Sequence, residues 1–285
     1  MRNSIRLGNV SGIPIGLHWS IALIAGLFTM ALTGTILPAA APGFASAAYL
    51  TTALAVTAGL LASIIAHELG HSLVAQRNNV GVSGITLFAL GGVAKLEREP
   101  DDPGAAARIA LAGPAVSVGI GVAALVAGFV AGAAGVSALI AAGLTWLGLV
   151  NISLAVFNML PALPLDGGRA LQAAMWKRSG DKDRATVSAA SIGRYIGWAI
   201  VAFGAWQFFT GGSGLWTMVI GWFILSSAKA ESMRAKFHIR RRNWAPPQAA
   251  FWTPPTATAA GPAYGPARRA DVFDDVIDVD GTRVG

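Results

Sequence analysis

The 285-residue chain has no cysteine, and Asp, Glu, Lys and Arg together make up only 12% of it. Without cysteine there are no disulfides and no thiolate metal sites. So little charge excludes an ordinary soluble domain, in which about a quarter of residues are charged. Histidine is scarce as well, with four in the chain. What fills the sequence instead is apolar: 54% of residues are hydrophobic and the mean hydropathy is +0.58. Such a composition points to a polytopic membrane protein. The formal net charge of +7 is then explained by membrane topology, and no nucleic-acid partner is called for.

Apolar runs of spanning length occupy roughly 13–37, 47–74, 108–132, 136–160, 191–210 and 214–230. Each is about 17 residues or longer, enough to cross a bilayer with some tilt. The first contains His18 and Trp19 and continues to Pro38, so it reads as a retained helix rather than a signal peptide. The connections near 38–46, 132–136 and 210–214 carry no Lys or Arg. The other connections and both ends carry nearly all of them, including Arg2, Arg6, Arg77, Lys95, Arg98, Lys177, Arg178 and the run 234–242. Basic flanks stay in the cytoplasm. Six spans with both termini inside a bacterial cell satisfy every loop.

Residues 80–96, VGVSGITLFALGGVAKL, differ from the helices. They are Gly-rich and β-branched, and read as a strand or hairpin at membrane depth, packed on protein or lining a wet cavity. An ordinary cytoplasmic hairpin is the alternative. The expected fold is therefore an all-α polytopic membrane protein of six transmembrane helices, with a short re-entrant β segment after the second. Residues 1–232 form the membrane core. Residues 233–285 read as a cytoplasmic basic stretch and a disordered tail rich in Pro, Ala and Gly. The acidic and apolar run DVFDDVIDVD at 271–280 reads as the solvated end of that tail, with a docking segment as the alternative.

The second span ends in SIIAHELGHSLVAQ, residues 63–76. His67 and His71 are four residues apart and share one helix face. Two imidazoles so spaced can bind one zinc, and the intervening Glu68 lies close enough to hold water there. Zinc lowers the pKa of such water to about 7, and a neighbouring carboxylate can take its proton. In a chain this poor in His and Glu the pattern arises by chance roughly once in a thousand sequences. A catalytic zinc commonly takes three protein ligands. Asp166 is the candidate third, alone in FNMLPALPLDGGRALQ (157–172), where two prolines and two glycines permit an irregular backbone. It also suits the N-cap of the helix that follows. Asn158 could donate to an oxyanion or bond a neighbouring helix. His18 could line a water path or form an interhelical bond, and His238 sits in the basic tail.

HELGH at 67–71 followed by LDG at 165–167 resembles the site-2 protease family of intramembrane zinc metalloproteases. The resemblance extends over roughly residues 10–232. It implies His67, His71 and Asp166 as zinc ligands, one ion per chain, with Glu68 as general base. Asn158 with Pro161, Gly113–Pro114, and GITLFALGG (84–92) resemble further family features, and GIPIGLHWS (12–20) is similar to the proteases of sporulation pro-sigma factors. The connections are too short for the PDZ domain that many relatives carry, and the stretch after Arg242 is too short for a CBS pair. The expected activity is zinc-dependent intramembrane endopeptidase cleavage of a transmembrane protein such as an anti-sigma factor, a pro-sigma factor or a signal-peptide remnant. A non-proteolytic zinc-binding membrane protein and a metal transporter are the competing readings.

Overall fold

The computed structural model describes residues 4–88 and 91–244. Strands β1 (Ser4–Val10) and β2 (Ile13–His18) lead into helix α1 (Ser20–Ala31), which continues through a π turn at Leu32–Ile36 into α2 (Leu37–Ala40). Pro38 has no N–H to give to the carbonyl one turn back, and the wider turn precedes it. Helix α3 (Ser46–Arg77) is followed by strands β3 (Val82–Phe88) and β4 (Gly91–Leu96). Then come α4 (Pro103–Ala133), α5 (Ala138–Asn158), the short α6 (Asp166–Ser179), α7 (Lys182–Phe209) and α8 (Gly214–Asn243). Asp102 caps α4, its carboxylate accepting from Ala105 N at 2.7 Å with Pro103 behind it. Gly180, at φ 69°, ends α6.

The four strands form one sheet in the order β1-β2-β3-β4. β1 and β2 are antiparallel through a turn at Ser11–Gly12, both with positive φ. β2 and β3 are parallel, and β3 and β4 are antiparallel. The start of the first expected span is thus corrected: residues 13–18 are a strand. Ile13 and Ile15, two apart on the strand, are buried in a core cluster against which Leu17 and Leu61, Ile64 and Ile65 of α3 also pack. An apolar run alone did not distinguish this strand from the helix after it. The hairpin expected within 80–96 is present as β3 and β4, in a larger sheet than foreseen.

Among the described residues, five helical segments are long and apolar enough to cross a membrane: Ser20–Ala40, Ser46–Arg77, Pro103–Ala133, Ala138–Asn158 and Lys182–Phe209. The protein is therefore a multi-pass membrane protein by helix length and composition. Helix α8 is not among the five, because Lys229 and Glu231 interrupt its apolar part and its last turns are basic. Large apolar side chains face outward along these helices, Phe129 at 76% and Phe209 at 85% exposure among them, as a lipid solvent requires. Between helices the contacts are made by glycine. A Cβ on Gly121 of α4 would lie 3.1 Å from Gly148 O of α5, and one on Gly221 of α8 would lie 2.9 Å from Gly197 O of α7. Small residues let helices approach where lipid gives no hydrophobic drive.

Candidate metal centre and active site

Helix α3 projects His67 and His71 one turn apart, with their Nε2 atoms 3.2 Å from each other. Their other nitrogens are fixed from α4. His71 Nδ1 donates to Ile109 O at 2.6 Å, and His67 Nδ1 lies 2.9 Å from Ser117 Oγ. A proton on each Nδ1 leaves both Nε2 lone pairs pointing into the same space.

Asp166 reaches that space from the first residue of α6. Pro161 and Pro164 interrupt the chain after α5, and residues 159–165 fold back on the first turn of α6. A Cβ on Gly167 would strike Met159 O and Leu160 O, and one on Gly168 would strike the backbone of Ala162 and Leu163. Two glycines therefore let the loop close over the helix start. Asp166 Oδ2 comes to 3.2 Å from His67 Nε2 and 3.3 Å from His71 Nε2. The carboxylate does not cap α6, whose N-cap is Leu165 without a side-chain bond.

These donors fit a cation. The three ligand atoms lie within 4.8 Å of one another, and Asp166 Oδ2 is buried with no hydrogen-bond partner. Two lone pairs and a carboxylate oxygen facing one another without a proton between them is a costly arrangement unless a metal ion holds it together. Two imidazoles and a carboxylate suit zinc. Gly113 of α4 forms a wall of the site, since a Cβ there would collide with Nε2 of both histidines.

Glu68 is half-buried beside the cluster. A Cβ on Gly92 of β4 would lie 2.5 Å from Glu68 Cγ and 3.0 Å from its Oε1, so the carboxylate rests on the backbone of the last strand of the sheet. Asn158 is the final residue of α5, half-buried at the start of the loop that leads to Asp166, and its side chain makes no hydrogen bond among the described residues. His18 bonds locally to Ser20 Oγ at 2.8 Å. His238 lies 3.6 Å from Asp183, away from the cluster.

Residues 55–142 and 131–203 match peptidase family M50. The chain belongs to that family. It is 39% identical over 236 residues to Rip3 of Mycobacterium tuberculosis, which carries zinc metalloprotease in its name, with 82% of this chain and 60% of that protein covered. It is 34% identical over 206 residues to the zinc metalloprotease MJ0392 of Methanocaldococcus jannaschii, covering 72% of this chain and 55% of that one. The chain thus spans about 60% or less of the length of these curated relatives. Its structure is similar to a solved site-2 protease from Methanocaldococcus jannaschii, with a TM-score of 0.52 and 29% identity over 80% of this chain and 95% of that one. Zinc is the metal that the family and the donor set agree on. Gly113, Ser117 and Gly92 belong to the site's surroundings, and spacing within the sequence did not link them to it. Gly113–Pro114 and GITLFALGG (84–92), which ends in Gly92, were the signals, and both were features of the family resemblance.

Proposed function

We propose that the protein is a zinc-dependent intramembrane endopeptidase that cuts a protein substrate within or near a transmembrane segment. The observation that carries this reading is Glu68. It stands between the donor cluster and β4, against Gly92, and a zinc site that merely tied helices together would have no use for it. All three donors also gather at one point, whereas an ion path would spread ligands across the membrane.

His67, His71 and Asp166 hold the ion in this reading. When bound, zinc supplies Lewis acidity toward the scissile carbonyl and toward water. Glu68 takes a proton from the attacking water and delivers it to the leaving amine. Asn158 donates its amide to the developing oxyanion. A helical substrate offers no accessible carbonyl, so it unwinds and adds as a strand to a sheet edge. The whole of 84–92 cannot serve in this, because β3 is already paired on both sides by β2 and β4. The edge strands are β1 and β4, and β4 is the one that begins at Gly91 and passes Glu68 at Gly92. β3 and β4 then lie at membrane depth as a re-entrant element. Helix α8 serves as the sixth span, both termini are cytoplasmic in a bacterial cell membrane, residues 1–232 form the core and a basic stretch follows from 233; the tail expected beyond residue 244 lies outside the described residues. The partners are lipid and a transmembrane substrate, with anti-sigma factors, pro-sigma factors and signal-peptide remnants fitting equally.

The test uses purified protein in detergent and a single-span substrate. Glu68→Gln keeps side-chain size and loses the base, so it should retain about one zinc per chain and lose at least 10²-fold in turnover, the lower end for a general base. Asp166→Ala should lose most of its zinc by mass spectrometry, with activity falling alongside. Full zinc in Asp166→Ala would remove its ligand role. Near-normal cleavage by Glu68→Gln would remove the protease mechanism.

A further inference from the structure

His67 can present an Nε2 lone pair to a metal only if its proton sits on Nδ1. The partner of that nitrogen, the Ser117 hydroxyl, is ambivalent, because it can accept from Nδ1–H or donate to a bare Nδ1. Donation would push the imidazole proton onto Nε2, where it blocks the metal. Something must draw the hydroxyl hydrogen of Ser117 the other way. Among the described residues the hydroxyl bonds only to His67.

Asn151 of α5 offers the missing acceptor. Its side chain is wholly buried, as is that of Ser117. Its Nδ2 donates to Leu147 O of its own helix at 2.9 Å, while its Oδ1 is buried and meets no donor. A buried amide oxygen left without a partner is costly. Helix register brings the two residues together. Gly121 of α4 packs between Gly148 and Ile152 of α5, and Asn151 lies between those two residues in sequence. The helices run antiparallel, so Ser117, one turn from Gly121, is level with Asn151 or within about one 5.4 Å turn of it. On the other side, Gly59 of α3 meets Leu147 at 3.2 Å, which brings Ser63 to the same level. Ser63 cannot supply the hydrogen, because its hydroxyl donates to Leu60 O at 2.8 Å.

We propose that Asn151 is a positioning residue for the zinc site: its Oδ1 draws the Ser117 hydroxyl hydrogen through one buried water and so holds His67 as the Nδ1–H tautomer. The order is His67 Nδ1–H to Ser117 Oγ, Ser117 O–H to water, and water O–H to Asn151 Oδ1. Each of these three N–H or O–H groups meets one acceptor. The inference rests on the zinc reading of the cluster and not on proteolysis.

With four histidines in the chain, ¹⁵N-histidine labelling resolves the tautomer of each in metal-free, detergent-solubilised protein. Zinc retention against a competing chelator gives a second readout. Wild type should show His67 as Nδ1–H at a pH where it is neutral. Asn151→Leu and Ser117→Ala should each shift it toward a mixture of tautomers and weaken zinc binding about tenfold, the low end for loss of an outer partner of a metal ligand. The double variant should bind zinc no more weakly than Ser117→Ala, since both substitutions break one relay. An Nε2–H His67 in wild type, a wild-type tautomer in either single variant, or additive losses in the double would overturn the proposal. If Asn151→Leu does not fold, Asn151→Ala takes its place, and an Nε2–H His67 in wild type or a wild-type tautomer in Ser117→Ala still overturns the proposal. None of these readouts involves cleavage, so the relay and the protease mechanism stand or fall separately.

Discussion

Two clusters of charge occupy the two ends of α6, and they obey opposite rules. At its start, Asp166 Oδ2 is buried and unpaired beside two imidazoles. Past its end, every charge in the turn to α7 has a partner. Asp181 caps α7 by accepting from Arg184 N at 3.0 Å and pairs with Arg242 at 2.6 Å. Lys182 meets Glu99 at 2.7 Å and Pro100 O at 3.1 Å. Asp183 lies near His238 and Arg242. The second cluster is largely exposed, and such pairs contribute only about 0–1 kcal/mol each. The first sets a buried carboxylate oxygen 3.2 and 3.3 Å from two imidazole nitrogens, and with the proton of each ring on Nδ1 it holds acceptors alone, an arrangement that a cation completes. A count of charged residues would favour the turn, whereas the unpaired buried oxygen of Asp166 marks the candidate metal site.

The comparison breaks most readily at Gly113. A methyl group there would enter the space of both Nε2 atoms, and the helix backbone behind it cannot yield cheaply. Gly113→Ala should weaken zinc retention at least tenfold and remove activity with it, as read by metal analysis and substrate cleavage. Normal zinc content in this variant would mean that the donor set does not rest against α4 as described.

Gly92→Ala sharpens the contrast between holding the metal and using it. Its Cβ would crowd Glu68 Cγ at 2.5 Å, and its three nearest atoms all belong to Glu68 and to no ligand. Displacement of a reacting group by about 1 Å costs up to about 10²-fold. Cleavage should therefore fall by 10-fold to 10²-fold while zinc content stays at wild type. Parallel loss of zinc would show that Glu68 and the ligands are not separable.

How much of this was legible depended on how local each feature is. His67, Glu68 and His71 share one helix turn, so their spacing alone gave the face they occupy. Asp166 was legible through the prolines and glycines around it, which signalled a backbone able to fold back. Gly113 and Ser117 act across a helix interface; Gly113–Pro114 stood out only through the family resemblance, and nothing near Ser117 marks it. The strand at Ile13–His18 was hidden because its apolar side chains run without a break into those of α1, and β1 was not foreseen at all. The pairing expected across 84–92 shifted to β4 because β2, hidden in that same run, occupies the other edge of β3.

The smallest expected effect lies at Lys182, on the satisfied side of the comparison. Its hydrogen bond to Glu99, foremost, and its charge hold the Glu99 carboxyl below the ordinary value of 4.5. A carboxyl depressed on folding contributes stability that is present above about pH 4.5 and lost as the pH falls through its folded value. Glu99 has a side chain 83% exposed, so solvent screening keeps the contribution under about 1 kcal/mol. Lys182→Ala should lower thermal stability by that small amount at neutral pH, leave zinc content and cleavage unchanged, and converge with wild type as Glu99 is protonated in acid. Chemical or thermal unfolding of the two proteins at pH 7 and pH 3.5 checks this. A loss of zinc in Lys182→Ala would show that the ion pairs of the α6–α7 turn help to hold Asp166 in place, and the two ends of α6 would then be one site.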